Sequence, residues 1–239
     1  MAKIRLFIDH PLAEGQAVPL TPDQAHYLSA VMRQGPGDEI LVFNGRDGEW
    51  LTRIERIAKR GGDLVAQAAR APQLDPPDLW LVFAPIKKAR TDFIVEKAAE
   101  MGCARILPVQ TDHTNSERIR QDRLQAHAVE AAEQCGGTFV PAVGDLVALS
   151  RLLDGWDSGR RILWADEALV GPAQTLQGLP RGPWAVLIGP EGGWSESERQ
   201  RLSGMDCVTR ISLGPRILRA DTAAVASLAL WQASLGDWC

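Results

Sequence analysis

Leu187-Ile188-Gly189-Pro190-Glu191-Gly192-Gly193-Trp194 is an apolar run that breaks into a glycine-rich turn, and Ser195-Glu196-Ser197-Glu198 follows at once. The run has the length of a buried strand. Ser195 with Glu198 three residues later fits a capping box, so a helix begins directly after the turn. The same grammar recurs further on. Val208 to Leu213 reads as a strand, Gly214-Pro215-Arg216-Ile217-Leu218-Arg219-Ala220-Asp221-Thr222 as a second loop, and Thr222 to Ser234 as a largely apolar helix that Asp221 or Thr222 can cap. Two glycine-bearing loops at strand carboxyl ends can wall one crevice, which is where open α/β sheets take ligands. Glycine lets the backbone approach such a ligand closely.

Working back from these loops, strand-like runs alternate with helical ones. Strands are expected at residues 79–84, 106–109, 161–165 and 184–188, and helices at 92–101, 118–134 and 146–153. Alternation of this kind implies a mainly parallel sheet flanked by helices. Upstream the pattern changes. Ala71-Pro72-Gln73-Leu74-Asp75-Pro76-Pro77-Asp78 carries three prolines in eight residues and reads as a linker. Before it, strands are expected at 4–8, 39–43, 49–57 and 63–69. A short helix is capped by Thr21 with Pro22 in its first turn, and His26, Tyr27, Leu28, Val31 and Met32 lie at helical spacing. Short strands at this spacing point to a small barrel. The chain therefore divides into residues 1–72 and 73–239.

Composition narrows the function. The 239 residues are 45% hydrophobic and 23% charged, as in globular proteins. No apolar run approaches a membrane span, and the amino terminus lacks the apolar stretch of a signal peptide. Cys103, Cys135, Cys207 and Cys239 are widely spaced, with neither a CxxC pair nor a Cys/His cluster, so no metal site or disulfide framework is expected. Residues 1–72 carry nine basic and nine acidic side chains, and the remainder 17 and 21. An RNA partner would have to be met through local patches, such as Lys87, Lys88 and Arg90 or Arg118, Arg120 and Arg123. His26, His113 and His127 have no partner at metal-ligand spacing. Trp184, Trp194 and Trp231 fit core or interface positions, and with the apolar last helix they fit a dimer contact.

The loop chemistry selects a ligand. A phosphate-cradling loop needs Lys and Ser/Thr after its glycines, and a dinucleotide fingerprint needs GxGxxG after the first strand. Gly189, Gly192 and Gly193 match neither, and Glu191 would repel a phosphate. A neutral or partly cationic ligand fits better. In the second loop Arg216 and Arg219 could hold a phosphate or a developing anion. The plainer alternative is an Arg–Asp pair that fixes the start of the helix.

The two loops, LIGPEGGWSESE and SLGPRILRADTAA, resemble the RsmE family of ribosomal RNA methyltransferases, within the SPOUT class. The resemblance extends to His26-Tyr27-Leu28 through Arg33, to Gly37-Asp38-Glu39-Ile40, to Lys87-Lys88, and to Ala131-Ala132-Glu133-Gln134-Cys135-Gly136 with Pro141. Thr111-Asp112-His113-Thr114-Asn115-Ser116-Glu117-Arg118 matches a further family segment in part, and Ala220 and Asp221 depart from the family's Thr and Glu. The resemblance implies an N-terminal PUA-like RNA-binding β-barrel and a trefoil-knotted α/β domain. It implies transfer of a methyl group from S-adenosyl-L-methionine to N3 of a uridine in 16S rRNA of the small ribosomal subunit, by a cytoplasmic homodimer without a metal. On this reading Leu187, Ile188, Gly189, Glu191, Gly192, Gly193, Leu213, Gly214, Ile217 and Leu218 bind the cofactor. Arg219, Asp221 and Glu133 are the catalytic candidates, and Arg33 and Lys88 the RNA contacts. Competing readings are a related methyltransferase acting on another RNA and an RNA-binding protein without catalysis.

Overall fold

The computed structural model describes residues 4–115, 118–169, 171 and 176–239. The chain forms two compact units. Ser116 and Glu117 of the partly matching segment, and Lys3 at the amino terminus, lie outside the described residues.

The first unit holds a five-stranded sheet. Strands β1 (Arg5–Phe7), β3 (Glu39–Phe43), β4 (Glu49–Ala58), β5 (Gly61–Ala71) and β2 (Ala17–Leu20) lie side by side in that order, with β1–β3 parallel and the other pairs antiparallel. β2 has no counterpart in the sequence reading. The β4–β5 ladder shifts register at three places, and bulges of this kind bend and twist a ribbon. Inward-facing Leu6, Val18, Leu20, Ile40, Val42, Ile54 and Leu64 make one core. Helix α1 (Pro22–His26) closes it, with Thr21 as the expected N-cap and Gln24 completing a capping box. The helix then widens into a π-helical turn, Tyr27–Val31. That turn breaks the 3.6-residue spacing, so Leu28 is buried whereas Val31 and Met32 are exposed, contrary to the expected apolar stripe.

This unit runs to Asp75 and takes in Ala132–Val140. A single cut at 72/73 misses that return segment, because what binds it is far away in sequence. The Arg5 guanidinium donates to the carbonyls of Ala132, Glu133 and Gly137 at 2.8, 2.9 and 2.8 Å, and to Glu49 Oε2 at 2.6 Å. Glu133 Oε1 accepts the Phe7 N–H at 2.8 Å.

The second unit is a parallel sheet in the order β12 (Val208–Ile211), β10 (Arg161–Ala165), β11 (Trp184–Ile188), β6 (Leu79–Phe83), β7 (Arg105–Gln110), β8 (Ala142–Val143), with β9 (Val147–Ala148) also pairing β7. Every pairing is parallel. All five residues of β11 are buried, as expected where both faces of a parallel sheet are covered. One face packs Val82, Leu107, Ile162, Trp164 and Leu187 with Trp194 and Leu202. The last helix, α6 (Ala220–Leu235), packs against β11 and α2 (Lys88–Glu100). Three boundaries move. α2 starts at Lys88 rather than 92, with Lys87 as an N-cap that makes no side-chain cap. Helix α3 is Gln121–Cys135, and the helix expected at 146 begins as β9 before α4 (Leu149–Asp154). Trp184 and Trp231 are 0% and 1% exposed, so they are core of this chain and not an interface. No helix among the described residues is long and apolar enough to cross a membrane.

Arg5 gives the first unit a direct test. Arg5→Met strands three carbonyls that a charged donor had satisfied, at a cost of about 3 kcal/mol. Urea titration followed at the unit's own tryptophan, Trp50, should show this loss, with Arg5→Lys recovering only part of it.

Candidate functional site

Three loops at the carboxyl ends of β10, β11 and β12 surround a cavity of about 460 Å³. From β10 come Ala165, Asp166, Glu167 and Leu169; from β11, Ile188, Gly189, Pro190, Glu191 and Gly193; from β12, Leu213, Gly214, Arg216, Ile217, Leu218 and Arg219. Lys87 and Arg90, at the start of α2, complete the wall together with Ala220 and Ala223 of α6. The size is that of a small-molecule site, and its place is where parallel sheets put one.

A single buried carboxylate joins the three loops. Asp166 is 2% exposed. Its Oδ1 accepts from Arg199 Nη1 at 2.6 Å, and Arg210 Nε closes on Oδ2. Arg199 belongs to α5 (Glu196–Ser203), directly after the GPEGG turn, and Arg210 to β12, directly before the second loop. Arg199 also donates to Glu167 Oε1. Burial pushes the Asp166 carboxyl up, but the Ala168 N–H and the two guanidiniums outweigh it and hold the pKa below the usual aspartate value.

The glycines of the first loop make room for this chain's own side chains. A Cβ on Gly189 would lie 2.7 Å from the Trp194 ring, and one on Gly193 2.6 Å from Glu167 Oε1 at a φ of +70°. Trp194 meets Trp164 edge to face at 5.9 Å. A Cβ on Gly192 would meet the Cβ of His113 at 3.0 Å. His113 Nδ1 lies 3.1 Å from the carbonyl oxygens of both Gly192 and Gly193, which fixes it as the protonated, donating nitrogen. Asp112 continues this clamp by accepting from Ser195 Oγ at 2.6 Å. The expected capping box of Ser195 and Glu198 is present.

Of the residues expected at a cofactor, Ile188, Gly189, Glu191, Gly193, Leu213, Gly214, Ile217 and Leu218 line the cavity. Leu187 does not: strand alternation turns it into the core with Trp164 and Trp194. Gly192 does not either, since its open side belongs to His113. Arg219 lines the cavity and is the N-cap of α6, with no side-chain cap. The helix therefore starts before Asp221 and Thr222, and neither caps it. Asp221 Oδ2 instead accepts from Arg90 Nη1 at 2.7 Å. Glu133 lies in the first unit on the Phe7 N–H. Arg33 is exposed there with a φ of +55°, and Lys88 lines a separate cavity. Asp166, Glu167, Lys87 and Arg90 are cavity residues that loop reading passes over. The only hint of the first two is an acidic pair directly after the apolar run Ile162–Ala165.

The wall is chemically mixed. Among the described residues, none hydrogen-bonds the backbone of Arg216, Ile217 or Leu218, so their peptide groups stay available beside the apolar Ile188, Leu213 and Leu218 side chains. Asp166, Glu167 and Arg90 are held in ion pairs, whereas Lys87, Arg216 and Arg219 form none among the described residues.

The profile of the RNA methyltransferase domain family matches residues 73–232, and that of the RNA methyltransferase PUA domain residues 20–66. The chain belongs to the RNA methyltransferase family. It is 28% identical over 229 residues to ribosomal RNA small subunit methyltransferase E of Rickettsia conorii, covering 94% of this chain and 93% of the relative. It is 27% identical over 241 residues to the protein of that name from Bacillus subtilis, covering 94% of each. Among solved structures, a ribosomal RNA small subunit methyltransferase E from Neisseria gonorrhoeae bound to S-adenosyl methionine superposes with a TM-score of 0.88 at 26% identity, over 99% of this chain and 100% of that one. A methyltransferase from Legionella pneumophila in complex with the same compound gives 0.89 at 28%, over the same shares. The architecture of this RNA methyltransferase is thus SPOUT-type, with a PUA domain before it, as the sequence implies.

Two predictions concern the site's bracing. Gly189→Ala should cost about 2 kcal/mol by overpacking Trp194, and Trp194→Leu in the same chain should relieve part of that cost, read as non-additivity in thermal unfolding. Asp166→Asn should cost about 3 kcal/mol at neutral pH, because two guanidiniums lose their shared carboxylate. The folded pKa of Asp166 lies below the unfolded one. Its contribution is therefore complete above about pH 4 and fades as pH falls through the folded value. Acid titration of both proteins should show the two stabilities converging in that range.

Proposed function

We propose that this RNA methyltransferase transfers the methyl group of S-adenosyl-L-methionine to N3 of a uridine in 16S rRNA of the small ribosomal subunit, as a cytoplasmic homodimer. The observation that carries this reading is the cavity of three strand-end loops, in which peptide groups and cations that have no partner among the described residues stand beside apolar walls. The named function of its relatives supports the substrate.

The wall suits the cofactor. Backbone donors and acceptors at Arg216–Leu218, unpaired among the described residues, with Ile188 and Leu218 as apolar surfaces, fit a neutral nucleoside. Glu191, exposed at the rim, fits the cationic portion. When bound, S-adenosyl-L-methionine supplies an activated methyl group. The cofactor-binding set is Ile188, Gly189, Glu191, Gly193, Leu213, Gly214, Ile217 and Leu218. Leu187 and Gly192 support it from behind.

Uridine N3 must lose its proton before it can attack, and the ring then carries a negative charge. Arg219 stands at the cavity with no carboxylate partner among the described residues and stabilises that charge by a charge-assisted hydrogen bond. Asp221 positions Arg90 at the wall, and Glu133 serves the fold of the first unit. Residues 1–72 contribute RNA contacts through Arg33, and residues 73–239 contribute Lys88 and the reaction. Pairing of copies uses α6, whose Val225, Ala226, Ala229 and Leu230 remain partly exposed.

The test is methyl transfer from labelled cofactor to small subunits that lack the mark, with mapping of the methylated atom. Label on N3 of a uridine is expected; label on a ribose oxygen or a guanine would refute it. Arg219→Ala should lower kcat about a hundredfold while calorimetry finds cofactor affinity unchanged.

A further inference from the structure

We propose that a second cavity, lined by Lys88, Arg118, Arg120 and Arg123, is a subsite for a phosphodiester of the RNA strand whose target nucleotide enters the first cavity. This rests on the reading of the chain as an enzyme that methylates RNA, and it adds a place and a chemistry for holding the strand.

The cavity measures about 340 Å³ and belongs wholly to the second unit. Four of its lining side chains are cationic and one, Asp92, is anionic. Asp92 is already engaged: Arg123 Nη2 donates to its Oδ2 at 2.5 Å, and the residue is 8% exposed. Arg120 is paired with Asp122, but both side chains are more than two-thirds solvent-exposed. A pair in that setting is worth little and yields readily to a phosphate. Lys88 is exposed and has no ion pair or side-chain hydrogen bond among the described residues. Lys88 thus offers a cation to a ligand in a chain whose net charge is −4. With no general attraction to nucleic acid, affinity for the backbone has to be concentrated in places like this.

Position strengthens the assignment. Lys87 lines the first cavity and its neighbour Lys88 the second. The start of α2 therefore contributes a lysine to each cavity. Ile86, Ile119 and Leu124 give this cavity apolar walls against which a ribose can rest. An acidic protein segment would need only the charges. Mixed apolar and cationic walls beside a nucleotide-sized cavity favour RNA.

The experiment uses the full chain and three readouts. Binding of a fluorescent oligouridylate is measured against salt, S-adenosyl-L-methionine affinity by calorimetry, and methyl transfer to unmodified small subunits by steady-state kinetics. Lys88→Ala should flatten the plot of log affinity against log salt by about 0.7 for the single contact removed. It should also raise KM for small subunits several-fold, leave kcat and cofactor affinity unchanged, and be rescued by Lys88→Arg. The double variant Arg118→Ala/Arg120→Ala should flatten the slope further. An unchanged slope and KM in both variants would overturn the proposal. So would a raised KM with an unchanged slope, which would assign the cavity to a ribosomal protein. Failure of the underlying reading shows separately, as wild-type protein that neither binds the cofactor nor methylates small subunits.

Discussion

The carboxylate of Asp166, held between Arg199 and Arg210, is the constraint on which the rest of the site depends. It follows β10 directly, its first partner follows the β11 loop, and its second precedes the β12 loop. A charge removed from water so completely is tolerated only when it is paired and hydrogen-bonded. Here the partners are placed so that satisfying one carboxylate also sets three loops around one space. Arg210 adds to this by lying over the Trp164 ring at 5.2 Å, which ties the polar centre to the tryptophan pair beneath it.

Around that centre the loops are packed from behind. Trp194 fills the space that Gly189 leaves, Glu167 the space at Gly193, and His113 the space at Gly192. The glycines in GPEGG are thus explained by this chain's own packing. Close approach of side chains behind the loop leaves its front face free for a ligand. Rigid support of this kind keeps a binding surface in place without the ligand having to order it.

Much of this was legible in the sequence. Apolar runs with the length of strands, alternating with helical spacing, point to the parallel sheet, and the Thr21 N-cap and the Ser195 capping box mark two helix starts correctly. Eight of the ten loop residues expected to face a ligand do line the cavity. What escaped depends on contacts between distant residues. Nothing local in Ala165-Asp166-Glu167 announces partners 33 and 44 residues further on. Ala132–Val140 joins the first unit because Arg5 reaches its carbonyls, a separation of more than 120 residues. That the Leu187 side chain packs into the core is hidden in the sequence by the glycine motif that follows it. The start of α6 was misplaced because Asp221 has the chemistry of a cap but is engaged by Arg90.

On the proposed reading, the methyl donor binds in the space that the three loops enclose. The most direct measurement is a crystal structure of the chain grown with S-adenosyl-L-methionine. Density for the nucleoside is expected between Ile188 and Leu218, with the Asp166–Arg199–Arg210 cluster intact behind it. Density at another place on the chain, with this cavity closed by its own side chains, would contradict it.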